Sequence, residues 1–191
     1  MISRDPFVTN SRDFDVLGAR AAEIFHTDRR LPAQVFATGF DNFAFLEFDV
    51  MLFREFWNVL ALCAETFGDE DVSLIVHEPD PDAYYFTNFQ RYGALDFKPS
   101  ANAGDYKQAF LTEPPGSPAD ALQYVAAVVS WFGSSRKWGF WGERDFGVAV
   151  AATRDSSKSW PQVQGIRRSG TRARTTSDIR PGETELVTAV A

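Results

Sequence analysis

The sequence predicts an α+β domain in which an antiparallel sheet carries helices packed mainly on one face, followed by a weakly structured C-terminal tail. Three observations carry that expectation. Apolar residues recur at helical spacing after Ser11 and again after Glu47. Between Lys137 and Ala152 they alternate with a period of two around a glycine-bearing turn. After Ala152 the composition changes to a basic stretch rich in Ser, Thr, Gly and Arg. The chain of 191 residues is ample for one core.

The elements follow in order. Ser11 is placed to cap a helix reaching about His26, since Phe14, Leu17, Ala21, Ile24 and Phe25 share one face. Glu47 to Phe67 predicts a longer helix stopped by Gly68, with Glu47, Arg54, Asn58 and Glu65 on a narrow polar stripe. Asp71 to His77 alternates as a strand through Val72, Leu74 and Val76. Ala83 to Gln90 is aromatic-rich and reads as a strand or an irregular lid. Ser117-Pro118-Ala119-Asp120 has the chemistry of a helix start, and Leu122, Val125, Ala126, Val129 and Phe132 supply an apolar face ending at Gly133. Trp138 and Phe140, then Phe146, Val148 and Val150, predict a hairpin turning at Gly142-Glu143-Arg144-Asp145. Gly139 and Gly147 leave room for a neighbouring ring or backbone.

Charge divides the chain into residues 1–152, an acidic domain, and 153–191, a basic extension. The whole carries −7. The extension holds seven basic and four acidic residues, so the part before it stands at −10. An acidic domain of this kind disfavours nucleic acid, except through the tail arginines Arg167, Arg168, Arg172 and Arg174. A tail poor in apolar residues cannot bury enough surface to offset its ordering entropy. One cysteine, Cys63, excludes an internal disulfide and a cysteine zinc site, and suits a reducing, cytoplasmic setting. Met1 to Pro6 lacks the apolar run of a signal peptide. No stretch is apolar enough to span a membrane; Phe48 to Phe67 is broken by Asp49, Arg54, Glu55, Asn58 and Glu65.

No phosphate loop, nucleophile elbow, dinucleotide fingerprint or zinc-protease helix occurs, and no cofactor is expected. His77 stands beside Glu78, Asp80 and Asp82 at a strand end. That grouping suits a general base or a metal-assisted hydrolase, against the alternative of a solvated acidic turn stiffened by Pro79 and Pro81. His26 reads as a partner for a helix C-terminus. Cys63, with apolar neighbours and no basic one, reads as a core thiol.

Aromatic residues are abundant: 18 Phe, five Trp and five Tyr. Core packing accounts for most. Tyr84, Tyr85, Tyr92, Trp131, Trp138 and Trp141 sit where exposure is plausible. Trp141 points opposite to Trp138 and Phe140 on a strand, so a sheet covered on one face would leave it near solvent. With Glu143 and Asp145, the residues Trp138, Trp141, Tyr84 and Tyr85 would form an acidic aromatic surface suited to a basic protein partner. In composition alone the chain resembles bacterial immunity proteins, which neutralise toxins. That resemblance implies a non-enzymatic protein-binding domain with a basic toxin or effector as its target. The alternatives are the His77 enzyme and an assembly subunit whose tail reaches a neighbour.

Overall fold

The computed structural model describes residues 6–117 and 119–155, together with the backbone of residues 174 and 175. Pro118 lies outside the described residues, as does the proposed tail 153–191 apart from Thr153–Asp155 and the backbone of 174 and 175.

Helix α1 (Ser11–Ala22) starts one residue earlier than Ser11 would cap it, because Asn10 accepts the Asp13 N–H at 2.9 Å. It stops before Ile24 and Phe25, which stay buried as the chain continues without helix, and Phe25 bridges to Phe36. Glu47 to Phe67 is not one helix. It divides into β1 (Asn42–Glu47), a 3₁₀ segment (Phe48–Leu52) and α2 (Phe56–Phe67). Gly68 ends α2 in the left-handed region at φ 73, as its position implied. Strand β2 (Val72–Glu78) follows. The aromatic segment after it is neither strand nor open lid. It winds as a π-helix over Pro81–Phe86, capped by Asp80, and passes into the short turn α3 (Thr87–Phe89).

Strand β3 (Ala94–Phe97) and helix α4 (Ala103–Leu111) come next. Asn102 and Asp105 cap α4 reciprocally. The helix expected after Ser117 is reduced to α5 (Leu122–Val125), and Val128–Gly133 is strand β4. The β-branched pair Val128-Val129 and the rings of Trp131 and Phe132 suit a pleated surface buried on both sides. Apart from Ser130 the strand is apolar or glycine at every position, so it also satisfies a helical spacing. β5 (Trp138–Glu143) and β6 (Val148–Thr153) form the hairpin, with the turn shifted to Arg144–Gly147. Gly147 supplies the positive φ of 65 that closes it.

The strands form one sheet in the order β3-β2-β4-β5-β6-β1-β7, where β7 is the pair Arg174–Thr175. The pairings are antiparallel. The fold is thus α+β, with α2, α4 and α5 on one face over Trp131, Trp138, Phe140 and Leu74. The other face is not bare. Helix α1 and the irregular chain from Ile24 to Phe40 bury Ile75, Phe132, Trp141 and Val150 there. Among the described residues no helix is long and apolar enough to cross a membrane.

Candidate functional site

The covering of both faces moves the expected aromatic surface inward. Trp138, Trp141 and Trp131 are fully buried, and Tyr85, Tyr92 and Glu143 nearly so. Asp145 is exposed and Tyr84 half-buried. These residues therefore do not form a joint exposed patch. Trp138 donates its Nε1–H to Asp69 at 2.6 Å beneath α2. Trp141 faces the opposite core and donates to Glu143 at 2.8 Å. Glu143 also accepts the Leu31 N–H at 2.7 Å, which pins the chain from Ile24 to Phe40 onto the sheet. Tyr84 bonds Asp120, which also receives Ser117. That bond raises the tyrosine proton affinity, while Ser117 and then Tyr84 lower that of the carboxyl.

His77 is the penultimate residue of β2, on the same face as Trp141. Its Nε2 lies 2.9 Å from the Ser130 hydroxyl, and its ring stacks on the indole at 4.8 Å between centroids. Burial, and then the Arg30 guanidinium, push its pKa down to about 3. Arg30 itself sits 5.8 Å from the Trp141 ring centroid. An imidazole of such low proton affinity is a weak general base near neutral pH. Its hydroxyl partner, Ser130, is wholly buried in the sheet, where no substrate reaches it. Glu78, Asp80 and Asp82 are exposed, and Asp80 is spent capping the π-helix through the N–H groups of Asp82 and Ala83. Among the described residues no group of three or more His, Cys, Asp or Glu is placed to hold a metal ion. His26 lies past the end of α1 and donates its backbone N–H to Val35. Cys63 is buried, and desolvation followed by the Asp69 charge raises its thiol far above the ordinary range.

Concavity appears elsewhere. A cleft of about 860 Å³ runs between the Pro6–Asn10 segment, α1, the end of β3 and the start of α4. Four carboxylates line it: Asp13, Asp71, Asp96 and Asp105. Two cations do, Arg20 and Lys98, and Arg20 is already paired with Asp71 at 3.1 Å. Asp13 and Asp105 stand in the first turns of α1 and α4, where each accepts a hydrogen bond from the side-chain amide of Asn10 or Asn102, at 2.8 and 2.7 Å. Two helix N-termini thus meet at the cleft, each with its positive end answered by its own aspartate. Asp96 accepts from the buried Ser73 hydroxyl at 2.9 Å. Desolvation holds its pKa above the ordinary carboxylate value; the Ser73 bond opposes this and Asp71 adds to it.

None of these residues was singled out in sequence. They come from four separated segments, and only the pairing of β2 with β3 and the packing of α1 bring them together. The available signal was local: Asn-x-x-Asp occurs at both 10–13 and 102–105, a helix-start pattern at each.

Comparison of the chain with protein-family models, with curated proteins and with solved structures gave no match. The fold and the site define a class all the same: a seven-stranded antiparallel α+β protein with an acidic cleft beside one sheet edge.

Proposed function

We propose that the chain is a non-enzymatic binding protein whose acidic cleft takes basic side chains of a protein partner, in the manner of an immunity protein that neutralises a cationic toxin or effector. The observation that carries this reading is the cleft itself. Once Arg20 and Asp71 are set aside as a pair, it opens on three carboxylates, Asp13, Asp96 and Asp105, against one cation, Lys98. The net charge of −7 supports the same reading, since like-signed charge around a concave site raises the encounter rate of an opposite charge. The buried state of Ser130 and the low proton affinity of His77 favour it over the hydrolase alternative.

The test is titration calorimetry of the full chain against an arginine-rich peptide and a set of strongly basic proteins. The expected result is binding that weakens with salt and falls by about tenfold or more in D13N/D96N/D105N, with circular dichroism unchanged. Equal binding by that variant would remove the cleft from the reading. A partner bound independently of salt would remove the electrostatic basis altogether.

A further inference from the structure

The cleft has an apolar wall between its charged ends. On α1 the residues Asp13, Val16, Leu17 and Arg20 all reach it, at spacings that place them along one face of the helix. That face is graded. It carries a carboxylate in its first turn, aliphatic side chains at its middle and a guanidinium in its last turn, already bound to Asp71. Asp13 and Arg20 lie about 10 Å apart along the helix axis.

Asp96 belongs to the Arg20 end. It stands opposite Ser73 in the β2–β3 register and bonds it at 2.9 Å, and Asp71 comes two residues before Ser73. The charges of Asp71, Lys98 and Arg20 all act on it. Elsewhere the lining is apolar in good part. Val8, Leu17 and Phe97 are core residues whose edges reach the cleft, and Val16 stands 46% exposed in it. Among the described residues the other large apolar side chains of comparable exposure, Leu62, Leu111, Tyr124 and Phe146, lie outside this cleft. An aliphatic side chain held open in a concavity gains free energy when a ligand's apolar surface covers it.

We infer that the cleft recognises an extended basic segment with an apolar side chain between two cations. The apolar side chain covers Val16, and the cations reach Asp13 and Asp96. This rests on the acidic-cleft reading and adds to it the pattern of the partner. Charge gives the number of cations, since the three unpaired carboxylates against Lys98 leave an excess of two negative charges. Geometry gives their spacing. Alternate residues of an extended chain project to one side about 6.6 Å apart, so cations four residues apart lie about 13 Å apart with the apolar residue midway. Flexible arginine or lysine stems take up the difference, and their methylenes can lie along the same aliphatic surface.

The test is a nuclear magnetic resonance titration of the full chain with two peptides of equal charge. Each holds two arginines four residues apart in a glycine frame; one has leucine midway between them, the other serine. The leucine peptide should bind about tenfold or more tightly, and the preference should persist at high salt, where both affinities fall. Its shifts should centre on the amides of α1 and of residues 97–102. Val16→Asn, a change at an exposed helix position, should bring the two affinities together, whereas Val16→Leu should keep them apart. Equal binding of the two peptides by the unaltered protein overturns this inference and leaves the acidic cleft standing. Binding of neither peptide overturns it too, and the basic proteins of the calorimetric test then show whether the acidic cleft falls with it. A leucine preference that survives Val16→Asn, or shifts centred away from the cleft, places the apolar contact elsewhere and also overturns the inference.

Discussion

Glu143 is a buried carboxylate that accepts from two donors drawn from distant parts of the chain, the Trp141 indole and the Leu31 backbone. Removing it with Glu143→Ala leaves both donors inside without partners, at an expected cost of about 2–4 kcal/mol in denaturant unfolding. Glu143→Gln keeps one acceptor oxygen and should cost about 1 kcal/mol. Equal losses in the two variants would show that the side chain acts by bulk rather than by its bonds. His77 gives a pH signature. In the folded protein it titrates at about 3, against 6.5 for a free imidazole, so between those values the unfolded chain binds a proton that the folded one refuses. Its contribution is whole above pH 6.5 and declines on acidification, by about 1.4 kcal/mol for each pH unit. His77→Gln should flatten that part of the stability profile. An unchanged slope would assign the acid sensitivity to other groups.

Among the elements, those recognised from sequence were the ones with a cap, a stop or a turn signal beside them. Helix α1, the body of α2 with Gly68 after it, β2 and the β5–β6 hairpin all belong here. β4 escaped because its apolar residues also fit a helical spacing and follow a helix-start signal at Ser117-Pro118-Ala119-Asp120. β1 escaped because its last residue, Glu47, and the apolar residues of Phe48–Leu52 after it fit the spacing of one long helix. The hairpin turn was placed at Gly142 rather than Gly147, and those few residues decide whether Glu143 lies on the surface or in the core. Gly139 was read as making room for a ring. A Cβ there would stand 2.6 Å from the Phe25 Cζ, in a strand flanked on both sides. Gly139→Ala should therefore destabilise by about 1–3 kcal/mol through overpacking. A melting temperature equal to that of the unaltered protein would show that Phe25 has room to move.

At the scale of the molecule, the charge asymmetry was legible in composition, whereas the site was not. Asp13, Asp71, Asp96 and Asp105 are unremarkable in sequence and become a cleft only through tertiary packing. The Asp96 carboxyl titrates above its ordinary value. Binding of a cationic partner should therefore weaken on acidification at a higher pH than free aspartates would give, and Asp96→Asn should move that loss to lower pH. Calorimetric titrations of the arginine-rich peptide at several pH values would show this. An affinity with the same pH profile in both proteins would place the titrating group elsewhere.

The pairing of β1 with β6 also bears on how the protein is made. β1 leaves the ribosome about a hundred residues before the strand that holds it, and the register from Asn42↔Thr153 to Glu47↔Val148 cannot form until the hairpin is complete. Through most of synthesis a segment containing Phe43, Phe45 and Leu46 has neither neighbour in place. The outer flank waits longer still, for the residues at 174 and 175. Slow translation or a stall before the hairpin is complete would prolong that state, so the nascent protein is most exposed to aggregation and to chaperone capture while β6 has yet to emerge.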